Sequence, residues 1–335
     1  MKSAELFFVA PFEVEIRDFN LPDPKPGQVG VKTLCSAISP GTEKLIFRGQ
    51  FSEGLQDHTD QLSSNLNYPF QYGYACVGEI VDLGTGVDST ALGKKVFCYQ
   101  PHASYFITEV ENVHFIPANC SPESACFLAN METSVNLVQD ARPVLGETAV
   151  VLGQGIVGLL TTALLTEFPL EKLIGADCFD IRRNAAIELG VEQCLDPNDP
   201  AFYERINSLL PHGADLTIEL TGVPGSLNDA IAVTGFNGRV IIGSWYGEQT
   251  ANLALGDRFH RSRIKLLSSQ VSTISADLSH RWDKSRRFQV VWDAIRRIQP
   301  ERWVTHRFAF HQAREAYQML EQSPQEYIQI LFEYG

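Results

Sequence analysis

The chain has 335 residues, 44% of them hydrophobic, and a formal charge of −13. Its length supports two domains with separate cores. The acidic balance disfavours nucleic acid as a partner, and no run of about eighteen apolar residues is present to cross a bilayer. Residues 1–5 lead into no apolar run with a small-residue cleavage site, so no secretory signal is read and a reducing cytoplasm is the expected location. Cys35, Cys76, Cys98, Cys120, Cys126, Cys178 and Cys194 contain no C-x-x-C pair, which speaks against a disulfide framework or a cysteine-rich zinc lobe.

The first 120 residues read as β-rich. Alternating or apolar runs at 28–34, 76–84 and 95–99 predict short strands between Gly- and Pro-rich turns, as in a rolled β domain. Residues 50–68 are polar and weakly patterned, either a surface loop or a flap over a site. From Ser121, a plausible N-cap, the rhythm changes to a helix over 122–140 and then to alternation. Strands are predicted at 148–152, 172–176, 216–220, 239–243 and 264–268, with helices at 156–168, 181–189 and 226–234 between them. Such alternation predicts a doubly wound parallel sheet. The tail predicts a helix over 283–298, a strand at 305–308, a helix over 312–321 and a last strand at 328–332.

Gly153-Gln154-Gly155-Ile156-Val157-Gly158 is a G-x-G-x-x-G run that follows a predicted strand and opens a predicted helix. Gly153 permits a tight turn, Gly155 lets backbone approach a pyrophosphate, and Gly158 lets the helix pack close to the sheet. The first helical amides, at Ile156 and Val157, face the phosphates. Asp177, nineteen residues after Gly158, ends the second strand of the unit. A carboxylate there accepts ribose hydroxyls and repels a 2′-phosphate, so NAD(H) is the expected cofactor. Arg182 lies along the adenosine or is a solvated helix charge.

A β-rich start, a late glycine motif and a tail that returns to the first domain resemble the medium-chain dehydrogenase/reductase superfamily, the fold of zinc alcohol dehydrogenases. The resemblance spans essentially the whole chain. It rests on Gly153 to Gly158, Glu219-Leu220-Thr221-Gly222, Gly238 to Gly243, and Thr305-His306-Arg307-Phe308 with Ala313 to Tyr317. It implies an α/β fold: a Rossmann NAD-binding domain over 131–270 and a β-rich, GroES-like catalytic domain over 1–130 and 271–335. It also implies a small-molecule substrate and a homodimer paired at the sheet edge near 264–268. Where the zinc members carry ligands, this chain has Pro40 in Pro40-Gly41-Thr42-Glu43, Tyr74 in Gly73-Tyr74-Ala75, and Leu128 or Ala129. No zinc is expected. The Ser39-Pro40-Gly41-Thr42-Glu43 and Gly73-Tyr74 variants resemble those of bacteriochlorophyllide-type dehydrogenases, from which no substrate follows.

Hydride transfer without a metal needs a side chain to handle charge on the substrate oxygen. Tyr74 is the first candidate donor, given a basic neighbour to lower its pKa; the alternative is a packed aromatic. Thr42 is a candidate relay or a turn residue, and Glu43 a base or the partner of a cation. Thr133, Gly222, Ser244, Trp245 and Ser269 are expected beside the nicotinamide, with hinge packing the alternative for Trp245. Residues 257–307 hold twelve Lys or Arg against five Asp or Glu. They form either solvated faces or an anion site, for which Arg261, Arg263 and Arg281 are the candidates. The leading reading is a zinc-independent alcohol/carbonyl oxidoreductase. Alternatives are a quinone or enoyl reductase and a non-catalytic NAD-binding protein.

Overall fold

The computed structural model describes residues 1–51 and 66–335, so most of the 50–68 segment lies outside the described residues. The chain divides into two compact units, residues 1–129 with 292–335, and residues 130–291.

Strands β1 (Lys2–Ala10) and β2 (Glu13–Asn20) form an antiparallel hairpin turned at Phe12, whose φ is +65°. Next come β3 (Gln28–Ala37), α1 (Thr42–Arg48), β4 (Cys76–Leu83), β5 (Lys95–Cys98), β6 (Tyr105–Glu109) and β7 (His114–Phe115). The helix expected over 122–140 is two helices, α2 (Pro122–Ala125) and α3 (Leu128–Ala141). Ser121 caps α2 through the Ser124 N–H at 3.0 Å, and the break seats Cys126 and Phe127 fully in the interior.

The second unit alternates β8 (Thr148–Leu152), α4 (Ile156–Leu165), β9 (Lys172–Ala176), α5 (Asp180–Glu188), β10 (Gln193–Leu195), α6 (Phe202–Leu209), β11 (Ala214–Glu219), α7 (Ser226–Val233), β12 (Thr234–Ile242) and β13 (Lys265–Ser268). All six strands are parallel, in the order β10-β9-β8-β11-β12-β13. This is the doubly wound order that reverses between the first and fourth strands and opens a crevice at their carboxyl ends. Every residue of α4 except Val157 is buried, as an all-round apolar helix must be. The six-stranded sheet closes on Val150, Ile174, Phe202, Ile218 and Val240.

The return to the first unit was expected at residue 271 but falls at Trp292, inside α8 (Lys284–Ile298). The first turn of α8 is tied to the second unit: Lys284 donates to Glu132 Oε1 at 2.6 Å and to the Val271 carbonyl at 2.8 Å, and Arg287 donates to the carbonyls of Val271 and Thr273. Strand β14 (Val304–Ala309), α9 (Ala313–Gln322) and β15 (Gln329–Glu333) complete the first unit. Its larger sheet runs β14-β15-β3-β4-β5-β7, with β6 on β3. Leu6, Phe8, Ile46, Phe47, Tyr317 and Phe332 form one core there, and Val29, Val31, Ile80, Val96 and Phe106 a second. Among the described residues no helix is long and apolar enough to cross a membrane.

One clamp shows how the second unit is fastened. Arg239 of β12 donates to the carbonyls of Ala141 and Arg142, satisfying the C-terminus of α3, and to both oxygens of Glu147 at 2.8 and 2.6 Å. Burial alone would raise the Glu147 carboxyl; the Arg239 bonds and the Val144 N–H outweigh it and hold it below its ordinary 4.5. A folded-state pKa below the unfolded one gives stability that is complete above the unfolded value and lost as pH falls through the folded one. Glu147→Gln should therefore cost about 1–2 kcal/mol at neutral pH, the pair being partly exposed. That deficit should shrink as the pH of urea denaturation is lowered below the ordinary carboxylate value. A deficit independent of pH would contradict the assignment.

Candidate dinucleotide site and a buried hydroxyl cluster

The carboxyl edge of the six-stranded sheet is built around Gly153. Its φ is +90°, and a Cβ there would lie 2.5 Å from the Leu220 carbonyl oxygen. A Cβ on Gly158 would lie 2.0 Å from the Gly153 carbonyl oxygen, so neither position admits a side chain. At Gly155, the N-cap of α4, the nearest side-chain atom to a built Cβ is Arg182 Nη1 at 3.9 Å, which leaves a cradle above the turn. The first-turn amides at Ile156, Val157 and Gly158 have no carbonyl one turn back to bond. Gln154, which the motif left unassigned, is buried and fastens the turn from beneath: its Nε2 donates to the Val151 carbonyl and its Oε1 accepts from Thr162.

Asp177 is the first residue beyond β9. Its Oδ2 accepts from the Gln154 N–H at 2.7 Å and its Oδ1 from the Phe179 N–H at 2.9 Å. The carboxylate is thus held against the glycine turn. Arg182 lies 3.9 Å from Oδ2 and packs its guanidinium over the Phe179 ring. On the other side of the turn, Gly222 has φ +73° and donates its N–H to Ser244 Oγ at 2.9 Å. Trp245, 46% exposed, follows. Thr133 is half-buried in α3. The Ser269 hydroxyl is engaged by α3 instead, accepting from Asn136 Nδ2 and donating to Asp140 Oδ2, so its side chain is not held toward a cofactor.

The basic candidates do not gather at this edge. Arg261 and Arg263 precede the amino end of β13, and in a parallel sheet that is the edge opposite Gly153, Gly222 and Ser244. Arg261 is exposed and pairs with Asp257, and Arg263 is exposed at φ +55°. Arg281 is also exposed, and its carbonyl accepts from Arg286. Much of the local positive excess is solvated helix face, together with Arg258, which donates to the Thr234 carbonyl.

In the first unit, Tyr74 donates its hydroxyl to Ser39 Oγ in a short bond and lies 3.3 Å from Thr42 Oγ1. Burial pushes the phenol up, the Ser39 and Thr42 bonds pull it partly back, and the charge of Glu43 raises it again. Among the described residues no basic neighbour acts to lower it, and the phenol stays protonated. Thr42 is the first residue of α1, after a Gly41 N-cap. Glu43 is fully buried. Its Oε1 accepts from the Ser39 N–H at 2.8 Å; its Oε2 accepts from Tyr317 and lies 3.1 Å from His102 Nε2. A chain then runs from His102 Nδ1 to Ser36 Oγ at 2.7 Å and on to the Tyr334 hydroxyl at 2.8 Å. Glu43 is therefore a carboxylate enclosed by an imidazole and a phenol, not a surface ion pair. Burial, with the Glu43 charge beside it, holds Tyr317 well up. Ser36, His102, Tyr317 and Tyr334 carry no local motif that marks them.

This donor set does not fit a zinc centre. Around Tyr74 the oxygens are hydroxyls, Pro40 offers no side-chain donor, and Leu128 and Ala129 are buried hydrocarbon. Zinc takes thiolate, imidazole or carboxylate, and Glu43 and His102 are engaged with each other and with Tyr317 and Ser36.

A family model described as zinc-binding dehydrogenase matches residues 157–288. L-Threonine 3-dehydrogenase of Pyrococcus horikoshii is 24% identical over 71% of this chain and 75% of its own length. Starvation-sensing protein RspB of Escherichia coli K12 is 22% identical over 97% of both chains. Among solved structures, RspB of E. coli CFT073 complexed with NADH superposes with a TM-score of 0.79 at 19% identity, over 99% of both chains. A putative zinc-binding dehydrogenase of Sinorhizobium meliloti 1021 bound to NADP gives 0.79 at 19%, again over 99% of both. The relatives and solved structures it resembles are dehydrogenases, two of the latter bound to NADH or NADP. The chain shares the fold of these solved dehydrogenases along nearly its whole length, and its residues 157–288 match the zinc-binding dehydrogenase family model. The segment matched by the family model excludes Pro40, Tyr74, Leu128 and Ala129.

Proposed function

We propose that the chain is an NAD(H)-dependent dehydrogenase that interconverts a small-molecule alcohol and its carbonyl without catalytic zinc. The observation that carries this is the pairing, in one chain, of a complete Gly153-Gly155-Gly158 turn backed by Asp177 with a hydroxyl cluster of Tyr74, Ser39 and Thr42, where Pro40, Tyr74 and Leu128 or Ala129 take the positions expected for zinc ligands. Relatives described as threonine, D-guloside and sorbitol dehydrogenases support an alcohol substrate. Gly153, Gly155, Ile156, Val157 and Gly158 would hold the pyrophosphate, Asp177 and Arg182 the adenosine ribose, and Gly222, Ser244, Trp245 and Thr133 the nicotinamide side.

The bound nicotinamide supplies or accepts the hydride. What remains for the chain is the oxygen. A phenol kept protonated by burial donates a hydrogen bond to a carbonyl oxygen and stabilises the negative charge that develops there. With a substrate oxygen hydrogen-bonded to it, Tyr74 would pass its proton to that oxygen as the carbon is reduced and be reprotonated through the hydroxyls of Ser39 and Thr42. Glu43 fixes Ser39 through its backbone N–H and so positions the relay. The exposed arginines add no anion preference to this reading.

Three measurements test it. Tyr74→Phe should lower kcat at least about a hundredfold, the usual scale of general-acid loss, and leave NADH affinity unchanged. Over a panel of alcohols and aldehydes the purified protein should keep its activity after chelation and carry far less than one zinc per chain; stoichiometric, chelator-sensitive zinc would end the proposal. Asp177→Ala should narrow the preference for NAD(H) over NADP(H) by about tenfold in calorimetry. Equal affinities in the unmodified protein would contradict its role. Finally, β13 pairs only with β12 among the described strands and exposes Leu267. An open strand edge of this kind invites a second copy. We expect a dimer by light scattering at micromolar concentration, and Leu267→Asp should shift it toward monomer.

A further inference from the structure

β11 ends on Glu219, which is fully buried and in register with Leu152 of β8 and Ile242 of β12. Its Oε1 accepts from the Thr221 N–H at 2.7 Å, the Thr221 hydroxyl at 2.5 Å and the Ser226 hydroxyl at 2.9 Å. Its Oε2 accepts from the Tyr246 hydroxyl at 2.5 Å. These donors come from the turn after β11, the first residue of α7 and the loop after β12, and every one is neutral. Each of the other buried carboxylates among the described residues has a basic side chain near it: Lys284 for Glu132, Arg182 for Asp177, His102 for Glu43. Glu219 has no ion pair among the described residues.

A buried carboxylate without a cation is costly, and neutral hydrogen bonds offset only part of that cost. The position of Glu219 shows which cation can arrive. A dinucleotide laid along this edge has its adenosine at Asp177, after β9, and its pyrophosphate at the Gly153 turn, after β8. Its nicotinamide end then falls over the turns after β11 and β12, at Gly222 and Ser244. Those turns are the ones Glu219 ties together from beneath. The nicotinamide ring carries a positive charge when oxidised and none when reduced. Glu219 thus places a buried carboxylate with only neutral partners beneath the turns over which a group whose charge changes in the reaction would lie.

We propose that Glu219 selects the oxidised over the reduced nicotinamide dinucleotide and so poises the bound couple toward oxidation of the alcohol. The inference rests on the dinucleotide reading of this edge. Thr221, Ser226 and Tyr246 act as positioning residues that hold the carboxylate in place; Tyr246 is itself raised by burial and then by the Glu219 charge.

The test is the ratio of dissociation constants for NAD⁺ and NADH, measured by calorimetry on the full chain. Glu219→Gln keeps the shape and removes the charge, and should raise Kd(NAD⁺)/Kd(NADH) on the order of tenfold for a charge several ångströms from the ring. Glu219→Asp keeps the charge and should leave the ratio within about twofold even where both affinities fall. A ratio unmoved in Glu219→Gln, with both forms weakened alike, overturns the inference and leaves Glu219 a structural clamp. If Glu219→Gln does not fold, the unmodified protein decides. NAD⁺ should bind on the order of tenfold tighter than the dinucleotide in which a neutral benzamide ring replaces the nicotinamide. Equal binding of those two overturns the charge effect while the dinucleotide reading stands. Binding of neither overturns both.

Discussion

Three backbone segments meet at Gly153 with no room for a side chain. The turn after β8 passes within 2.5 Å of the Leu220 carbonyl, measured to where a Cβ would be, and α4 begins so close that Gly158 would strike the Gly153 carbonyl. This crowding fixes the direction of α4 and aims its first amides across the end of the sheet. It also brings the Gln154 N–H against Asp177, so the glycine turn and the Asp177 carboxylate are one connected piece. Gln154 and Thr162 lock the same turn from the core side. Such preorganisation would let the proposed site bind a flexible dinucleotide without ordering itself at the same time.

The first unit solves a different problem. With Pro40 and Tyr74 where the resemblance places zinc ligands, the polar atoms around them must still be satisfied. The solution is a network of hydroxyls closed by one carboxylate. Glu43 sits at the second position of α1, and its two oxygens meet an amide, a phenol and an imidazole from three separate parts of the chain, at Ser39, Tyr317 and His102. A partly satisfied network of this kind would be worse than hydrocarbon; fully bonded, it specifies one arrangement. Tyr74 stands at its edge, half-buried, where its hydroxyl meets Ser39 and Thr42.

What was legible in the sequence follows from range. The parallel sheet, the glycine turn and Asp177 are encoded by periodicity and spacing within a few tens of residues, and the predicted strands at 148–152 and 172–176 match β8 and β9. The β1–β2 hairpin was missed because its exposure does not alternate cleanly: Ser3, Leu6 and Phe8 are buried between half-exposed neighbours. The Glu43 network was invisible because its partners lie 59 and 274 residues away in sequence. Arg261 and Arg263 were misplaced for a topological reason. Nearness to a strand in sequence does not tell which end of the strand a residue flanks, and in a parallel sheet the two ends have different chemistry. The helix expected over 122–140 failed locally, where Cys126 and Phe127 turn inward instead of continuing the helical pattern.

The buried carboxylates connect these observations. Glu132 sits beside the ammonium of Lys284, Asp177 accepts two backbone amides with a guanidinium nearby, and Glu43 shares an imidazole and a phenol. Each arrangement settles its charge within the fold and can serve stability alone. Glu219 accepts one amide and three hydroxyls, all neutral. Removing a charge from water with only neutral partners leaves a residual field, and that field extends toward whatever lies above the turns at Gly222 and Ser244. Among the described residues the fold sets a basic group beside each other buried carboxylate and leaves this one without, at the edge proposed for the cofactor, where it would bias a bound molecule that changes charge.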